Sequence, residues 1–170
     1  GTASESVTVT VNPLPTVSVV EDYAVCYGTS ITLNAEYANG ELSWSNGIEN
    51  GVPFVITETT TFTATVTGEC GTASESVTVT VNPLPTVSIV EDFAVCHGTS
   101  ITLNAVYANG ELSWNNGVEN NVPFVITETT TFTATVTGEC GTVSESVTVT
   151  VDPLPTVSIV EDFAVCHGTS

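Results

Sequence analysis

The sequence copies itself at a step of 70 residues: positions 71–140 repeat positions 1–70 with seven differences, and positions 141–170 open a third copy. The differences are Val19/Ile89, Tyr23/Phe93, Tyr27/His97, Glu36/Val106, Ser45/Asn115, Ile48/Val118 and Gly51/Asn121, followed by Ala73/Val143 and Asn82/Asp152. A fixed step of this size means that each fold must close within about one step and be joined head to tail to its neighbours. Such an array builds length or valency, whereas a catalyst needs one site rather than a row of them.

Charge narrows the possible partners. The chain has no Lys or Arg, carries 19 carboxylates and has a formal charge of −19. Without fixed positive charge it cannot grip nucleic acid or an anionic membrane through phosphate contacts. Folding must rest on apolar burial, backbone pairing and cross-links, because no Lys or Arg ion pair can form. Like charge favours solubility and keeps neighbouring copies apart. No apolar run reaches the ~20 residues that span a bilayer. The chain opens and closes in mid-repeat, as expected of a window cut from a longer array.

Proline and strand patterning divide one repeat from the next. The N/D-P-L-P stretches at 12–15, 82–85 and 152–155 read as short stiff connectors, since proline fixes φ and donates no backbone hydrogen bond. The expected organisation is therefore a final strand plus linker at 1–15, modules at 16–85 and 86–155, and a first strand at 156–170. Within the second module, period-two alternation predicts strands over 86–90, 100–107, 111–114, 123–127, 131–137 and 144–151. In this reading Ile101, Leu103, Ala105 and Tyr107 face inward, as do Leu112, Trp114, Phe132, Ala134, Val136, Val147, Val149 and Val151. The core is assigned to Trp44, Leu33 and Phe62 in one module and to Trp114, Leu103 and Phe132 in the next. Short β-branched strands, frequent turns and one Trp on the third strand predict an all-β fold of tandem immunoglobulin-like sandwiches.

The motifs carry a resemblance. V-C-x-G-T-S-I-T-L-N-A, L-S-W, T-T-T-F-T-A-T-V-T and G-E-C-G-T-x-S-E-S-V-T-V-T-V recur in order. They resemble the PKD-like and immunoglobulin-like repeats of giant secreted surface proteins of Bacteroidetes, in particular the repeat region of gliding-motility adhesins exported by the type IX secretion system. The resemblance covers every module. It implies a stalk or adhesin segment on the outside of a Gram-negative cell, with adjacent repeats, surface glycans or outer-membrane motility and secretion machinery as partners.

Five cysteines fall in two phases, Cys26/Cys96/Cys166 and Cys70/Cys140. A 70-residue β module has a marginal core, so phased cysteines suggest disulfides and an oxidising, extracellular setting. Pairing within modules would give Cys26–Cys70 and Cys96–Cys140. Sandwich topology puts those cysteines at opposite ends of a module, roughly 20 Å apart for a seven-residue strand at about 3.3 Å per residue. A disulfide needs Cα atoms within about 7 Å. Pairing between modules, Cys26 with Cys140, is therefore favoured and the within-module set stays as the alternative. Lysine-dependent isopeptide reinforcement is excluded by composition.

Other candidates are weaker. His97 and His167 follow cysteines, but the equivalent Tyr27 and the lack of a second Cys/His pair argue for exposed loop residues rather than metal ligands. Glu21, Asp22, Glu91 and Asp92 are the nearest approach to a Ca²⁺ site, with no D-x-D-x-D-G loop present; no other cofactor is expected. Trp44 and Trp114 could stack on a sugar, although a core role is favoured, and Tyr37 and Tyr107 are expected to cap the core. Nothing in the spacing brings Glu41, Glu49, Glu58 or Glu69 to a common cleft, and no enzyme is expected. N-x-S/T acceptors are absent. The outward Thr ladders are explained by β propensity and could also offer a flat face to glycans. The sequence thus predicts a structural shaft, with multivalent weak binding of glycan or surface as the second reading.

Overall fold

The computed structural model describes residues 1–159 and His167. Strands occur as β1 (Thr16–Ser18), β2 (Tyr23–Cys26), β3 (Ser30–Ile31), β4 (Glu36–Ala38), β5 (Glu41–Trp44), β6 (Phe54–Val55), β7 (Thr60–Gly68) and β8 (Gly71–Asn82). The next repeat gives β9 (Thr86–Ser88), β10 (Phe93–Cys96), β11 (Ser100–Thr102), β12 (Val106–Ala108), β13 (Glu111–Trp114), β14 (Pro123–Val125), β15 (Thr130–Gly138) and β16 (Gly141–Asp152). One 3-10 turn follows β5 and another follows β13, with Asn46 and Asn116 at φ of 59° and 57°. Asn tolerates this left-handed region better than most residues. Among the described residues there is no α-helix.

The chain forms two compact units. One is Gly1–Leu84 together with Gly138–Gly141; the other is Pro85–Thr137 with the chain from Thr142 on. In the first, β7 and β8 pair antiparallel from Thr60↔Val79 to Gly68↔Gly71. Strand β2 lies parallel on the other side of β8, and β5 lies antiparallel on β7, giving the order β2-β8-β7-β5. Two short ladders, β1–β4 and β3–β6, complete the unit. Alternation along β7 and β8 buries Phe62, Ala64, Val66, Val77 and Val79. Four of these pack in a core with Ile31, Leu33, Ala35, Trp44 and Ile56. The second unit repeats this with the order β10-β16-β15-β13 and a core of Ile101, Leu103, Ile126, Phe132, Val147 and Val149. Trp114 is half-buried against that core.

Two differences from the sequence reading have a common cause. The single strand expected over 100–107 is divided into β11, which pairs with β14, and β12, which pairs with β9. Between them the Asn120 side chain stands in for a neighbouring strand: its Oδ1 accepts from Ala105 N–H at 2.7 Å and its Nδ2 donates to the Ala105 carbonyl at 3.3 Å. Asn50 does the same for Ala35, at 2.7 and 3.4 Å. The alternation does not carry through the break, so Tyr107 and its copy Tyr37 are 45% and 49% exposed and do not cap the core. The parallel strands β2 and β10 are additions to the strands that alternation predicts.

Residues 1–12 are identical in sequence to β8, yet they form no strand. Val77 and Val79 are fully buried, while their copies Val7 and Val9 are 87% and 79% exposed. As β8 the segment is held between β7 and β2. The strand expected within 1–15 is not present among the described residues. Residues 156–159 also form none, and most of the expected strand over 156–170 lies outside the described residues.

Asn50 also accepts from Trp44 Nε1 at 3.1 Å, so one side chain serves two donors. Removing it leaves the Ala35 N–H and the Trp44 indole N–H, both on buried residues, without their protein acceptor. Asn50→Ala is expected to lower stability by about 1–3 kcal/mol, and Asn50→Asp, which keeps the acceptor, by less. Urea denaturation followed by Trp fluorescence checks this.

Candidate functional site

The chemistry that stands out is a covalent clasp. Parallel pairing with β8 sets Cys26, the last residue of β2, opposite Asn82. The next backbone N–H, that of Tyr27, donates to the Asn82 carbonyl at 2.9 Å and continues the pairing to the strand end. The second sulfur comes from the turn between β15 and β16, within the Gly138–Gly141 segment that belongs to the first compact unit. Gly141 at φ 121° lets that turn close with only Glu139 and Cys140 at its tip. Cys26 and Cys140 form a disulfide across 114 residues of sequence, with Cα atoms 5.4 Å apart. Cys26 is therefore not bonded to Cys70, nor Cys140 to Cys96; Cys70 and Cys96 are free and exposed. Cys166 lies outside the described residues.

Asn82 is the polar half of the clasp. Its Nδ2 donates to Glu139 Oε2 at 3.1 Å. The Cys140 sulfur lies 3.6 Å from the Asn82 carbonyl oxygen, a contact rather than a hydrogen bond because a disulfide sulfur carries no proton. The same pattern appears one repeat earlier. Asn12 Nδ2 donates to Glu69 Oε2 at 2.8 Å, and the Cys70 thiol points at the Asn12 carbonyl at 3.4 Å. At the end of the second repeat Cys96 stands opposite Asp152, and His97 N–H donates to the Asp152 carbonyl at 2.9 Å. Sequence reasoning used the cysteines and missed the Asn–Glu pair, whose signal was the constant N-P-L-P and G-E-C-G spacing.

The remaining candidates fall into structural roles. Asp22 Oδ1 accepts from Thr78 N–H and Asp92 Oδ1 from Thr148 N–H, each at 2.7 Å, so both cover backbone donors of the long strands. Glu75 and Glu145 do likewise for Val19 N–H and Ile89 N–H at 3.1 Å. Glu21 and Glu91 are exposed. No cluster of three or more His, Cys, Asp or Glu suited to a metal occurs among the described residues. His97 and His167 are exposed. Trp44 is buried, and Trp114 donates to Asn120 Oδ1 at 3.3 Å as Trp44 does to Asn50.

Glu41 and Glu69 do line a common depression, of about 450 Å³, with Asn12, Pro13, Asn39 and Thr67. The β5–β7 register sets Glu41 opposite Thr67, two residues before Glu69. Both carboxylates are exposed, and Glu69 is held by Asn12. On the outer face of the long hairpin, Thr61–Thr78, Thr63–Ser76 and Thr65–Ser74 hydroxyls bond each other at 3.0, 2.9 and 3.0 Å. The second unit repeats the ladder at 3.1, 2.9 and 2.9 Å. These are cross-strand pairs that stabilise the sheet.

No family model and no curated protein matches the sequence. Solved structures do match. The I67–I69 fragment from the I-band of titin aligns over 82% of this chain and 66% of its own length, at TM-score 0.56 and 13% identity. The insect immune protein hemolin aligns over 81% of this chain and 47% of its own length, at TM-score 0.56 and 16% identity. The fold is immunoglobulin-like. At this identity the likeness speaks for the fold, and the chain spans under two thirds of either neighbour.

If the clasp stabilises by shortening the unfolded chain, its loss costs at most ~4–5 kcal/mol for a loop of this size. Cys140→Ser is expected to lower the urea midpoint clearly, whereas Cys70→Ser moves it little. Equal effects of the two variants would remove the clasp from the stability account.

Proposed function

We propose that this chain is part of the shaft of a long extracellular filament or adhesin on a Gram-negative cell, serving gliding or surface attachment, and that its work is mechanical. The observation that carries the reading is the Cys26–Cys140 disulfide, which ties the strand end of one repeat to the hairpin tip of the next. The modules are read as 16–85 and 86–155, with Pro15 and Pro85, both buried, closing the linkers between them. Backbone pairing along the nine-residue β7 and its copy resists shear, the linkers limit bending, and the disulfide limits extension. The charge of −19, with no cation to offset it, keeps parallel shafts apart. The resemblance to secreted gliding adhesins supports the cell surface and the type IX export route. Adjacent repeats of the same chain are the first partners in this reading. Catalysis has no place in it, since Glu41 and Glu69 line a depression open to water.

A second reading makes each repeat a weak binding unit for glycan or an outer-membrane component, with strength from repetition. The paired hydroxyl ladders favour it, because each repeat presents the same uncharged Thr/Ser rows.

Small-angle scattering of the oxidised and reduced chain tests the shaft. The oxidised chain is expected to give one narrow size distribution that reduction broadens, with no change in secondary structure. Identical scattering in both states, together with glycan-array binding by the same protein, would favour the second reading.

A further inference from the structure

Repeats this similar raise the question of what keeps their order. Among the nine differences, two fall on the clasp: Tyr27/His97, whose backbone N–H bonds the opposite carbonyl, and Asn82/Asp152, whose side chain meets the tip. The tip is seated twice in the same manner, Asn12 amide on Glu69 at 2.8 Å and Asn82 amide on Glu139 at 3.1 Å. In each case the carbonyl of the same Asn faces the tip cysteine, at 3.4 and 3.6 Å. An Asn side chain supplies the donor that a Glu carboxylate needs; an ionised Asp is an acceptor only. At the Cys96 end that position is Asp152. A Glu-bearing tip seated there would set two carboxylates within hydrogen-bond range, and the chain has no Lys or Arg to bridge them.

We propose that position 82/152 is a specificity-determining residue for the joint: Asn admits a tip with Glu before its cysteine, and Asp rejects it. The Cys96–Asp152 end then takes a cysteine-bearing hairpin tip whose residue at the Glu139 position is uncharged and can donate, such as Gln. This rests on the reading of the disulfide as a staple between successive modules. Specificity arises from the repulsive element as much as from the attractive one.

The test measures the Cys26–Cys140 equilibrium in a glutathione buffer at pH 7, in the whole 170-residue chain. Two protein thiols give two electrons and two protons to one glutathione disulfide, forming the protein disulfide and releasing two glutathione molecules. Alkylation and peptide mass analysis then read the oxidised fraction. Asn82→Asp is expected to lower the equilibrium constant roughly tenfold, from loss of a hydrogen bond to a charged group plus like-charge repulsion. Adding Glu139→Gln to that variant returns it to within about twofold of the parent, because the amide can donate to the new Asp. Asn12→Asp, at the other tip, leaves this disulfide unchanged and reports on general folding effects. An Asn82→Asp constant within about twofold of the parent overturns the proposal, and so does a failure of Glu139→Gln to rescue. Absence of the Cys26–Cys140 bond in the parent would instead overturn the staple reading.

Discussion

Each compact unit depends on one antiparallel pairing, the long hairpin of β7 with β8 or of β15 with β16. In the first unit the register runs from Thr60↔Val79 to Gly68↔Gly71 without interruption. It places Phe62, Ala64, Val66, Val77 and Val79 on the core side and the paired hydroxyls on the other. It also gives β2 and β5 their edges.

The hairpin also fixes the covalent chemistry. A two-residue tip closed by glycine leaves Glu139 and Cys140 nowhere to go but outward. The parallel strand β2 ends where the Asn82 amide and carbonyl are both available to that tip. The result is a bond that is out of step with the sequence repeat: Cys26 lies in the first 70-residue copy and Cys140 in the second, and both belong to the first compact unit.

Much of this was legible in the chain. Strict alternation made 131–137 and 144–151 plain as strands, and the Trp at the end of β5 and β13 marked the core. The sandwich topology that followed from them was enough to favour Cys26 with Cys140 by distance alone. What escaped reading has physical reasons. The strand over 100–107 keeps its period through Ala105, but a side chain from 15 residues away replaces its ladder partner, and no local pattern announces that. The parallel strand Phe93–Cys96 is four residues long, too short for alternation to mark it. Glu41 and Glu69 line one open depression because of the β5–β7 register, which spacing along the chain does not encode. Asp22 and Glu75 were readable as charge but not as acceptors for strand backbone.

The central claim is that covalent connectivity crosses the repeat boundary. Non-reducing peptide mapping tests it most directly, using a protease that cuts at acidic residues, since the chain has no Lys or Arg for trypsin. The account predicts a cross-linked peptide containing Cys26 and Cys140, with Cys70 and Cys96 recovered as alkylated thiols. A peptide joining Cys96 to Cys140, or Cys26 to Cys70, would contradict it.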